Sequence, residues 1–348
     1  MTRGPRYVAD GRFLAAAPTG LHRVARSFAL AAKRAGADVE IWAPSGTTDP
    51  LADRLIHAPG GRVGGRIWEQ LLLPTAARGR TIWSLTNTAP LVSPGVVVVH
   101  DLAAMVGPEW FAGSMRAYAA AMRRSARRAK HVITVSDAVR RELVDLGLDP
   151  RKVSVVPPAV DSRFAPATQE DVVTVRERHA LDLPYAVVVG WADPRKDVHT
   201  AIAAHQKVAR DLPHDLVLVG GGHPTFAPVS LPAAPTIRQV GRVGDEELVT
   251  LLTGAAVLLY PSRYEGYGLP PLEAMACGTP AVVSDIPSLR ESTAGTARLA
   301  PVGDVTAWAA ALRAGLEGGL SCPSRPPSPS QQEVGQRLAA TLSAGSAP

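Results

Sequence analysis

Short apolar runs alternate along this chain with longer segments of helical periodicity. Among the runs are VVVV at 96–99, YAVVV at 185–189 and AAVLLY at 255–260. Uninterrupted apolar runs of this length are typical of strands that are covered on both faces, as in parallel sheets. Because the segments between the runs are long enough for crossover helices, the pattern predicts an α/β fold made of doubly wound sheets.

The same pattern divides the chain. A length of 348 residues is enough for two domains of ordinary size. The alternation stops after Phe164, where Pro, Thr and acidic residues are frequent, and resumes near Leu183. In the first part, residues 7–14 are predicted as a strand and residues 44–65 as a surface loop rich in Gly and Pro. The predicted segments are a Rossmann-like domain over 1–164, a linker over 165–182, a second Rossmann-like domain over 183–315, and a tail rich in Pro, Ser and Gly over 316–348.

One predicted helix, over residues 109–129, is strongly basic. Several of its side chains fall at helical spacing and form one face. Such a face would suit an anionic membrane surface, whereas a solvated basic face is the more common explanation. The basic residues of this helix and its end are Arg116, Arg123, Arg124, Arg127, Arg128 and Lys130.

Composition and charge restrict the partners. The net charge of +6 and the pI near 9.6 suit anionic small molecules, an anionic membrane surface or nucleic acid. Neither an aromatic-interleaved basic motif nor zinc-ligand spacing is present, so no nucleic-acid partner is expected. The two cysteines form no disulfide framework, and neither a signal peptide nor a bilayer-spanning apolar run is recognised. We therefore expect a cytoplasmic protein, with peripheral contact at the inner face of the membrane as the extension that the basic helix offers.

The residues best suited to chemistry lie in the stretch from Tyr260 to Ala281, at the end of the apolar run at 255–260. Its sequence, YPSRYEGYGLPPLEAMACGTPA, contains Gly266 and Gly268, where the backbone can adopt a positive φ and approach a ligand. Pro270 and Pro271 suit the first positions of a helix. Because the N-terminus of that helix points back at the glycine loop, the stretch predicts an anion site.

Two carboxylates, Glu265 and Glu273, flank this anion site. A carboxylate can accept two hydrogen bonds at once, so either side chain can hold a vicinal diol of a ribose or a hexose. Taken singly, Glu273 is explained by the helix dipole and Glu265 by solvation. Their position on either side of the glycine loop favours ligand binding.

Two further segments place polar side chains at strand ends, where ligands bind in open α/β sheets. Gly190 ends the run at 185–189, and Arg195 and Lys196 follow just before a helix. A pair of cations beside a helix N-terminus suits a diphosphate, and a surface salt bridge is the alternative. His100 ends the VVVV run, where it can bond a sugar hydroxyl, transfer a proton or bond only to backbone groups.

The segment EGYGLPPLEAMACGTP resembles the Glu-x7-Glu signature of the retaining glycosyltransferases of family 4. The resemblance spans most of residues 1–315 and implies the GT-B fold, in which two Rossmann-like domains face each other across a cleft. It also implies a last helix that crosses back to the first domain, which residues 331–342 would form in shortened form after a disordered segment over 317–330. Shorter similarities to family motifs are Thr19-Gly20-Leu21 with Arg23, His100-Asp101-Leu102, and Pro194-Arg195-Lys196.

The resemblance implies a role for each candidate. Glu273 would hold the ribose of the nucleotide, Glu265 would contact the donor sugar, and Lys196 would bind the diphosphate together with Arg195. Many relatives carry an arginine directly after the glycine, where this chain has Trp191, and Gly20 can alternatively serve only close strand–helix packing. The catalytic set is Glu265, Lys196 and His100. The remaining donor-contacting residues implied are Gly20, Gly190, Arg242, Val243, Gly266, Tyr267, Gly268 and Leu269.

The activity implied by the resemblance is transfer of a hexose, with retained anomeric configuration, from a nucleotide-diphosphate sugar to a hydroxyl of a glycan or lipid-linked acceptor. GDP-mannose is the first expected donor, followed by UDP- and dTDP-hexoses. The chain has no Asp-x-Asp pair, and fixed cations can replace a divalent ion, so we expect neither a metal ion nor another cofactor. Two alternatives stay open, namely an epimerase or hydrolase of nucleotide sugars on the same fold and a non-catalytic subunit.

Overall fold

The structure is a computed structural model that describes residues 6–16, 19–58, 61–113, 115–232 and 234–344. Parts of the predicted loop at 44–65 and the end of the predicted tail lie outside the described residues. The chain divides into two compact units. The first unit comprises Met1–Met105, Arg116–Ala159 and Pro329–Pro348, and the second comprises Val106–Met115 and Val160–Ser328.

The first unit is built on one parallel sheet. Its strands are β1 (Tyr7–Asp10), β2 (Val39–Pro44), β3 (Arg54–Ile56), β4 (Thr81–Ser84), β5 (Val96–Val99), β6 (His131–Thr134) and β7 (Val153–Val155). They pair in the order β3-β2-β1-β4-β5-β6-β7. The order reverses between β1 and β4, so the carboxyl ends of these two strands form a topological switch point, the usual ligand position in such sheets.

The second unit repeats the architecture. Its strands are β8 (Tyr185–Val189), β9 (Asp215–Val219), β10 (Ile237–Gly241), β11 (Val257–Tyr260), β12 (Ala281–Ser284) and β13 (Arg298–Ala300). They pair in the order β10-β9-β8-β11-β12-β13, and each neighbouring pair is parallel. The switch point lies between β8 and β11. The apolar runs therefore form doubly wound parallel sheets, and the predicted α/β class is confirmed.

Helices cover both sheets and supply the rest of each core. In β5, all of Val96–Val99 are buried, as the uninterrupted apolar run predicts. The helices are α1 (Gly20–Arg34), α2 (Gly61–Ile67), α3 (Leu73–Ala76), α4 (Ala103–Val106), α5 (Arg116–Arg128), α6 (Asp137–Asp145), α7 (Gln169–Arg178), α8 (Val198–Val208), α9 (Asp245–Thr253), α10 (Leu269–Ala276), α11 (Pro287–Thr293), α12 (Val305–Leu316) and α13 (Gln331–Ala344). No helix among the described residues has both the length and the apolar character needed to cross a membrane.

The last helix, α13, packs against α1 within the first unit. Its buried side chains Val334, Leu338 and Leu342 recur every four residues and form one apolar face. Gly335 lets the two helices approach closely, because a Cβ there would lie 2.4 Å from the carbonyl oxygen of Ala31. The helix considered for residues 331–342 therefore exists and docks on the first unit.

Several element boundaries differ from those predicted. The strand expected over 7–14 ends at Asp10, where the side chain accepts from the backbone of Arg12 and starts a 3-10 turn. The loop expected over 44–65 contains β3 and the start of α2, and the helix expected over 109–129 begins only at Arg116. The expected linker, residues 165–182, contains α7, which packs against α9. These differences reflect local capping and tertiary packing, which override periodicity in short segments.

Candidate functional site

The loops at the switch point of the second sheet hold most of the candidate residues. The loop after β8 begins at Gly190, whose φ is +76°, and leads to Arg195 and Lys196. Gly220 follows β9 with a φ of +117°, and a Cβ there would lie 3.3 Å from the Cα of Gly190. Glycines at these strand ends therefore allow neighbouring loops to pass close together, which leaves backbone exposed to a ligand.

The loop after β11 ends at Gly268, which caps α10 with a φ of +89°. The positive φ favours glycine here, and a Cβ on Gly268 would also lie 2.3 Å from Cδ2 of Leu289 and displace the end of that side chain. Pro270 and Pro271 stand in the first turn, as predicted, but carry no N–H. The amide donors for an anion at this helix end therefore come from fewer residues than in a helix without prolines.

Lys196 and Glu265 form a buried ion pair at the centre of this switch point. The Lys196 ammonium lies 2.5 Å from Oε1 of Glu265, and the two side chains are 13% and 10% exposed. The same ammonium donates to the Tyr260 hydroxyl and lies 4.4 Å from the centre of its ring. Burial and the Glu265 carboxylate raise the pKa of Tyr260 well above its ordinary value, so this hydroxyl stays protonated.

The second cation, Arg195, has a carboxylate partner of its own. Its guanidinium pairs with Asp193, with the Nη2 atom 2.6 Å from Oδ2, and its Cζ atom lies 5.4 Å from the centre of the Phe226 ring. The backbone oxygen of Arg195 accepts from the N–H of Arg263 at 2.7 Å, which ties the loop after β8 to the loop after β11. The sequence analysis missed Asp193, although it stands two residues before Arg195.

The remaining donor-contacting candidates surround this pair in sequence and differ in exposure. Glu273 is 8% exposed on α10. Gly266, Tyr267 and Leu269 lie in the loop and first turn beside it. Arg242 is exposed after β10 and donates from Nη2 to the carbonyl of Gly222 at 3.1 Å, whereas Val243 is half-buried.

His100 lies in the first unit, directly after β5, and is 7% exposed. Its backbone N–H donates to Oδ1 of Asn87 at 2.6 Å, and its ring Nε2 donates to the carbonyl of Leu85 at 2.7 Å. Burial lowers the pKa of His100, so the ring is neutral near pH 7 and Nδ1 carries a lone pair. The backbone contact considered as the alternative is present, and Nδ1 is the atom that can accept a sugar hydroxyl or a proton.

The switch point of the first sheet holds a charged cluster that the sequence analysis missed. The Arg12 guanidinium lies 2.8 Å from Oδ2 of Asp10 and 2.9 Å from Oε1 of Glu69. The indole of Trp68 donates to Asp10 at 2.9 Å. Asp10 directly follows an apolar run and Arg12 stands two residues later, so both positions could have been noticed in the sequence. Glu69 is placed by a π-helical turn, Trp68–Leu72, which periodicity does not indicate. Gly20, the other candidate of this unit, begins α1 after the cap Thr19.

Comparisons with known proteins agree with this architecture. Two family models match, "Glycosyltransferase Family 4" over residues 18–164 and "Glycosyl transferases group 1" over residues 184–317. Among curated proteins, the chain is 31% identical over 232 residues to the O-antigen chain mannosyltransferase B of Escherichia coli, covering 64% of this chain and 61% of the relative. It is 30% identical over 234 residues to the O-antigen chain mannosyltransferase RfbU of Salmonella typhimurium, covering 65% of this chain and 62% of the relative.

Solved structures show the same fold at lower identity. The Anabaena protein HepE in complex with UDP-glucose superposes with a TM-score of 0.71 at 16% identity, covering 97% of this chain and 99% of HepE. WaaG, a glycosyltransferase of lipopolysaccharide biosynthesis, gives a TM-score of 0.66 at 14% identity, covering 97% of this chain and 93% of WaaG. The two O-antigen mannosyltransferases are longer than this chain, and the alignments with it span about three fifths of their length. One family model matches each half of the chain, and the fold is GT-B. The chain therefore belongs to the glycosyltransferases of group 1 and family 4.

Proposed function

We propose that this protein transfers a hexose, with retained anomeric configuration, from a nucleotide-diphosphate sugar to a hydroxyl of a glycan or lipid-linked acceptor. The observation that carries the proposal is the meeting of Lys196 and Glu265 at the switch point of the second sheet. The pair combines a cation suited to a diphosphate with a carboxylate suited to sugar hydroxyls, and Glu265 lies shortly before the N-terminus of α10 in the sequence. Glu273, in the same helix, would hold the ribose.

The choice of donor follows the relatives. Two matched proteins are O-antigen mannosyltransferases, which supports GDP-mannose as the first donor to test. HepE binds UDP-glucose in its crystal structure, which supports UDP-glucose as the second. Two of the relatives are named as mannosyltransferases of an O-antigen chain, which supports a glycan or lipid-linked glycan as the acceptor class that we propose.

The reaction breaks the bond between C1 of the hexose and the diphosphate oxygen, and forms a bond between C1 and the acceptor oxygen. In the front-face course that we propose, the departing phosphate oxygen takes the proton of the acceptor hydroxyl. Negative charge grows on the diphosphate as its bond to C1 breaks, so the fixed positive charge of Lys196 lowers the barrier. Both cations already have carboxylate partners, Lys196 in Glu265 and Arg195 in Asp193, so each would turn from its carboxylate towards the diphosphate when the donor binds.

No metal ion is needed in this scheme. Lys196, Arg195 and the positive end of α10 would together supply the positive charge that stabilises the departing diphosphate. We therefore propose metal-independent transfer. Treatment with EDTA should leave the rate unchanged, and a rate restored only by added Mg²⁺ or Mn²⁺ would contradict this part of the proposal.

The test of the proposed function is a ligand panel followed by a transfer assay. Thermal unfolding is measured with GDP, UDP, dTDP and their hexose conjugates; a ligand at a hundred times its dissociation constant stabilises by about 2.7 kcal/mol. One base should stabilise clearly, and its labelled sugar should pass to a glycan–lipid extract. Absence of any stabilisation would overturn the proposal in favour of a non-catalytic subunit, and donor turnover without acceptor would favour the hydrolase or epimerase alternative.

We also propose that the enzyme is located at the cytoplasmic face of an anionic membrane, which it contacts peripherally. The basic helix α5 supports this proposal. Its charged side chains are all cationic, and Arg116, Arg123 and Arg124 are exposed. Arg127 and Arg128 are also exposed but donate to the carbonyls of Leu146 and Leu91. Co-sedimentation with vesicles of anionic lipid should therefore weaken in Arg123→Glu/Arg124→Glu, and equal binding to neutral vesicles would count against the contact.

A further inference from the structure

A segment from the first half of the chain belongs to the second unit. The chain leaves the first unit after Met105 and returns to it at Arg116, and the residues between them pack with the second unit. We name residues 106–113 of this excursion the strap. Two backbone hydrogen bonds anchor it: the N–H of Ala112 donates to the carbonyl of Thr225 at 2.9 Å, and the N–H of Ala227 donates to that of Trp110 at 3.0 Å.

Two aromatic contacts extend from the strap to the candidate donor site. The Trp110 ring stacks on Tyr264 with centroids 6.2 Å apart and an interplanar angle of 26°. The Phe111 ring lies 5.7 Å from that of Phe226, and the two residues form an antiparallel bridge. Phe226 in turn lies under the Arg195 guanidinium. The strap therefore contacts one residue on each side of the site.

These contacts connect the strap with the loop after β11 and the loop after β8 in a closed series. Tyr264 directly precedes Glu265 and is only 8% exposed, so its ring fixes the backbone that carries this carboxylate. From Tyr264 the chain leads to Arg263, whose N–H donates to Arg195 at 2.7 Å. Arg195 in turn lies over the ring of Phe226, which contacts Phe111 of the strap. A displacement of the Trp110 ring would consequently be transmitted first to Glu265.

The strap is shaped so that the indole cannot shift freely. Gly107 lies beneath the Trp110 ring, and a Cβ on Gly107 would come within 2.4 Å of Cδ2 and Cε3 of the indole. The φ of Gly107 is −139° and its ψ is 71°, so this residue lies outside the left-handed region that favours glycine. An alanine at 107 would therefore meet no positive-φ strain, and its Cβ would push the indole off Tyr264.

We propose that Trp110 is a positioning residue of the transferase, which acts through Tyr264 to hold the Glu265 carboxylate in register with the donor sugar. The inference rests on the proposed function for the role of Glu265, while the contact between strap and loop stands on the geometry alone. The rate of an enzyme can fall by up to about a hundredfold when a group that positions the reacting atoms moves by an ångström. We expect Trp110→Ala to lower kcat by about 10- to 100-fold while the affinity for the nucleoside diphosphate without sugar changes little.

Hydrogen exchange followed by mass spectrometry tests the contact without requiring activity. Wild type is compared with Trp110→Ala, Gly107→Ala and Trp110→Phe, with Val106→Ala as the matched control, because Val106 is on the same strap and 53% exposed. Peptides covering residues 261–268 should exchange faster in Trp110→Ala and Gly107→Ala. They should be close to wild type in Trp110→Phe, which keeps a ring, and unchanged in Val106→Ala.

Two results would overturn the inference. One is unchanged exchange over residues 261–268 in both Trp110→Ala and Gly107→Ala. The other is faster exchange over the whole second unit in both variants, which would assign the strap to general stability. Failure of the proposed function would give a different result, because wild type would then bind no nucleotide sugar. Hydrogen exchange over residues 261–268 would still test the contact between the strap and the loop. In an active enzyme, a fall in kcat that Trp110→Phe rescues supports the positioning role.

Discussion

Lys196 and Glu265 offer the sharpest test of the candidate site, because their pairing has both a structural and a ligand-binding consequence. Replacing Lys196 with methionine keeps the length of the side chain and removes its charge. The Glu265 carboxylate, 10% exposed, would then be buried without its cation. Breaking a buried pair in this way costs about 3–5 kcal/mol, and the lower value applies here because the Tyr260 hydroxyl stays close enough to donate.

The expected change is large enough to read from a melting curve. A loss of about 3 kcal/mol lowers Tm by roughly 6–12 °C in a unit of 150–250 residues. The double variant Lys196→Met/Glu265→Gln removes both charges and should return to within about 1 kcal/mol of wild type. Lys207→Met serves as the control, because Lys207 is an exposed lysine on α8 and its replacement should change stability by less than about 0.5 kcal/mol.

Ligand binding separates the two roles of the pair. The double variant should regain stability and yet show no stabilisation by the nucleotide diphosphate that stabilises wild type, because its phosphate contact is gone. Differential scanning calorimetry with and without nucleotide measures both quantities in one experiment. If Lys196→Met melts with wild type, the pair is solvated and the reasoning fails. If the double variant binds nucleotide as tightly as wild type, the pair is structural and the site assignment fails.

Three further predictions concern the rest of the chain. Gly335→Ala should destabilise docking of α13 by about 1–3 kcal/mol although helix propensity alone favours alanine by about 1 kcal/mol, since the new Cβ would lie 2.4 Å from the Ala31 carbonyl oxygen; faster proteolysis of the C-terminal helix would show it, and a more stable variant would refute it. Glu273→Gln should weaken nucleotide binding by roughly 10- to 100-fold in titration calorimetry, because the acceptor to a ribose diol loses its charge, whereas unchanged affinity would return Glu273 to the helix dipole. Burial first, and then the neighbouring His214, lower the pKa of His205 from 6.5 to about 4, so the folded state holds this ring neutral while the unfolded state takes a proton below pH 6.5. Stability should therefore fall as pH falls from about 6.5 to about 4, and less steeply in His205→Gln, with identical slopes arguing against the assignment.

The sequence was sufficient for features whose cause is local. Uninterrupted runs such as YAVVV need cover on both faces, and this requirement alone predicts parallel sheets. Gly268 and the prolines after it specify a left-handed cap and a helix start over a few adjacent residues, so the residue types alone locate the stretch after β11. The resemblance to family 4 rests on this same stretch, and the family models confirm it.

Pairings across long sequence separations could not be obtained in this way. Lys196 and Glu265 are joined only because β8 and β11 are neighbours at the switch point, which is a property of strand order. Glu69 reaches Arg12 through a π-helical turn with no periodic signal. The excursion of residues 106–113 into the second unit depends on ring contacts with Phe226 and Tyr264, which are far away in sequence.

The pairing of Lys196 with Glu265 in the ligand-free chain has a consequence for donor choice. A diphosphate that takes over Lys196 leaves the Glu265 carboxylate without its cation, and an unsatisfied buried group costs about 1–3 kcal/mol. A hexose attached to the diphosphate supplies hydroxyl donors to that carboxylate, whereas a bare nucleoside diphosphate supplies none. We therefore predict that wild type binds the nucleotide sugar roughly 5- to 150-fold more tightly than the nucleoside diphosphate. In Glu265→Gln the preference should shrink, because the amide has less to lose when Lys196 turns to the phosphates. Titration calorimetry of both ligands against both proteins measures the ratio, and an equal preference in the two proteins would remove Glu265 from sugar recognition.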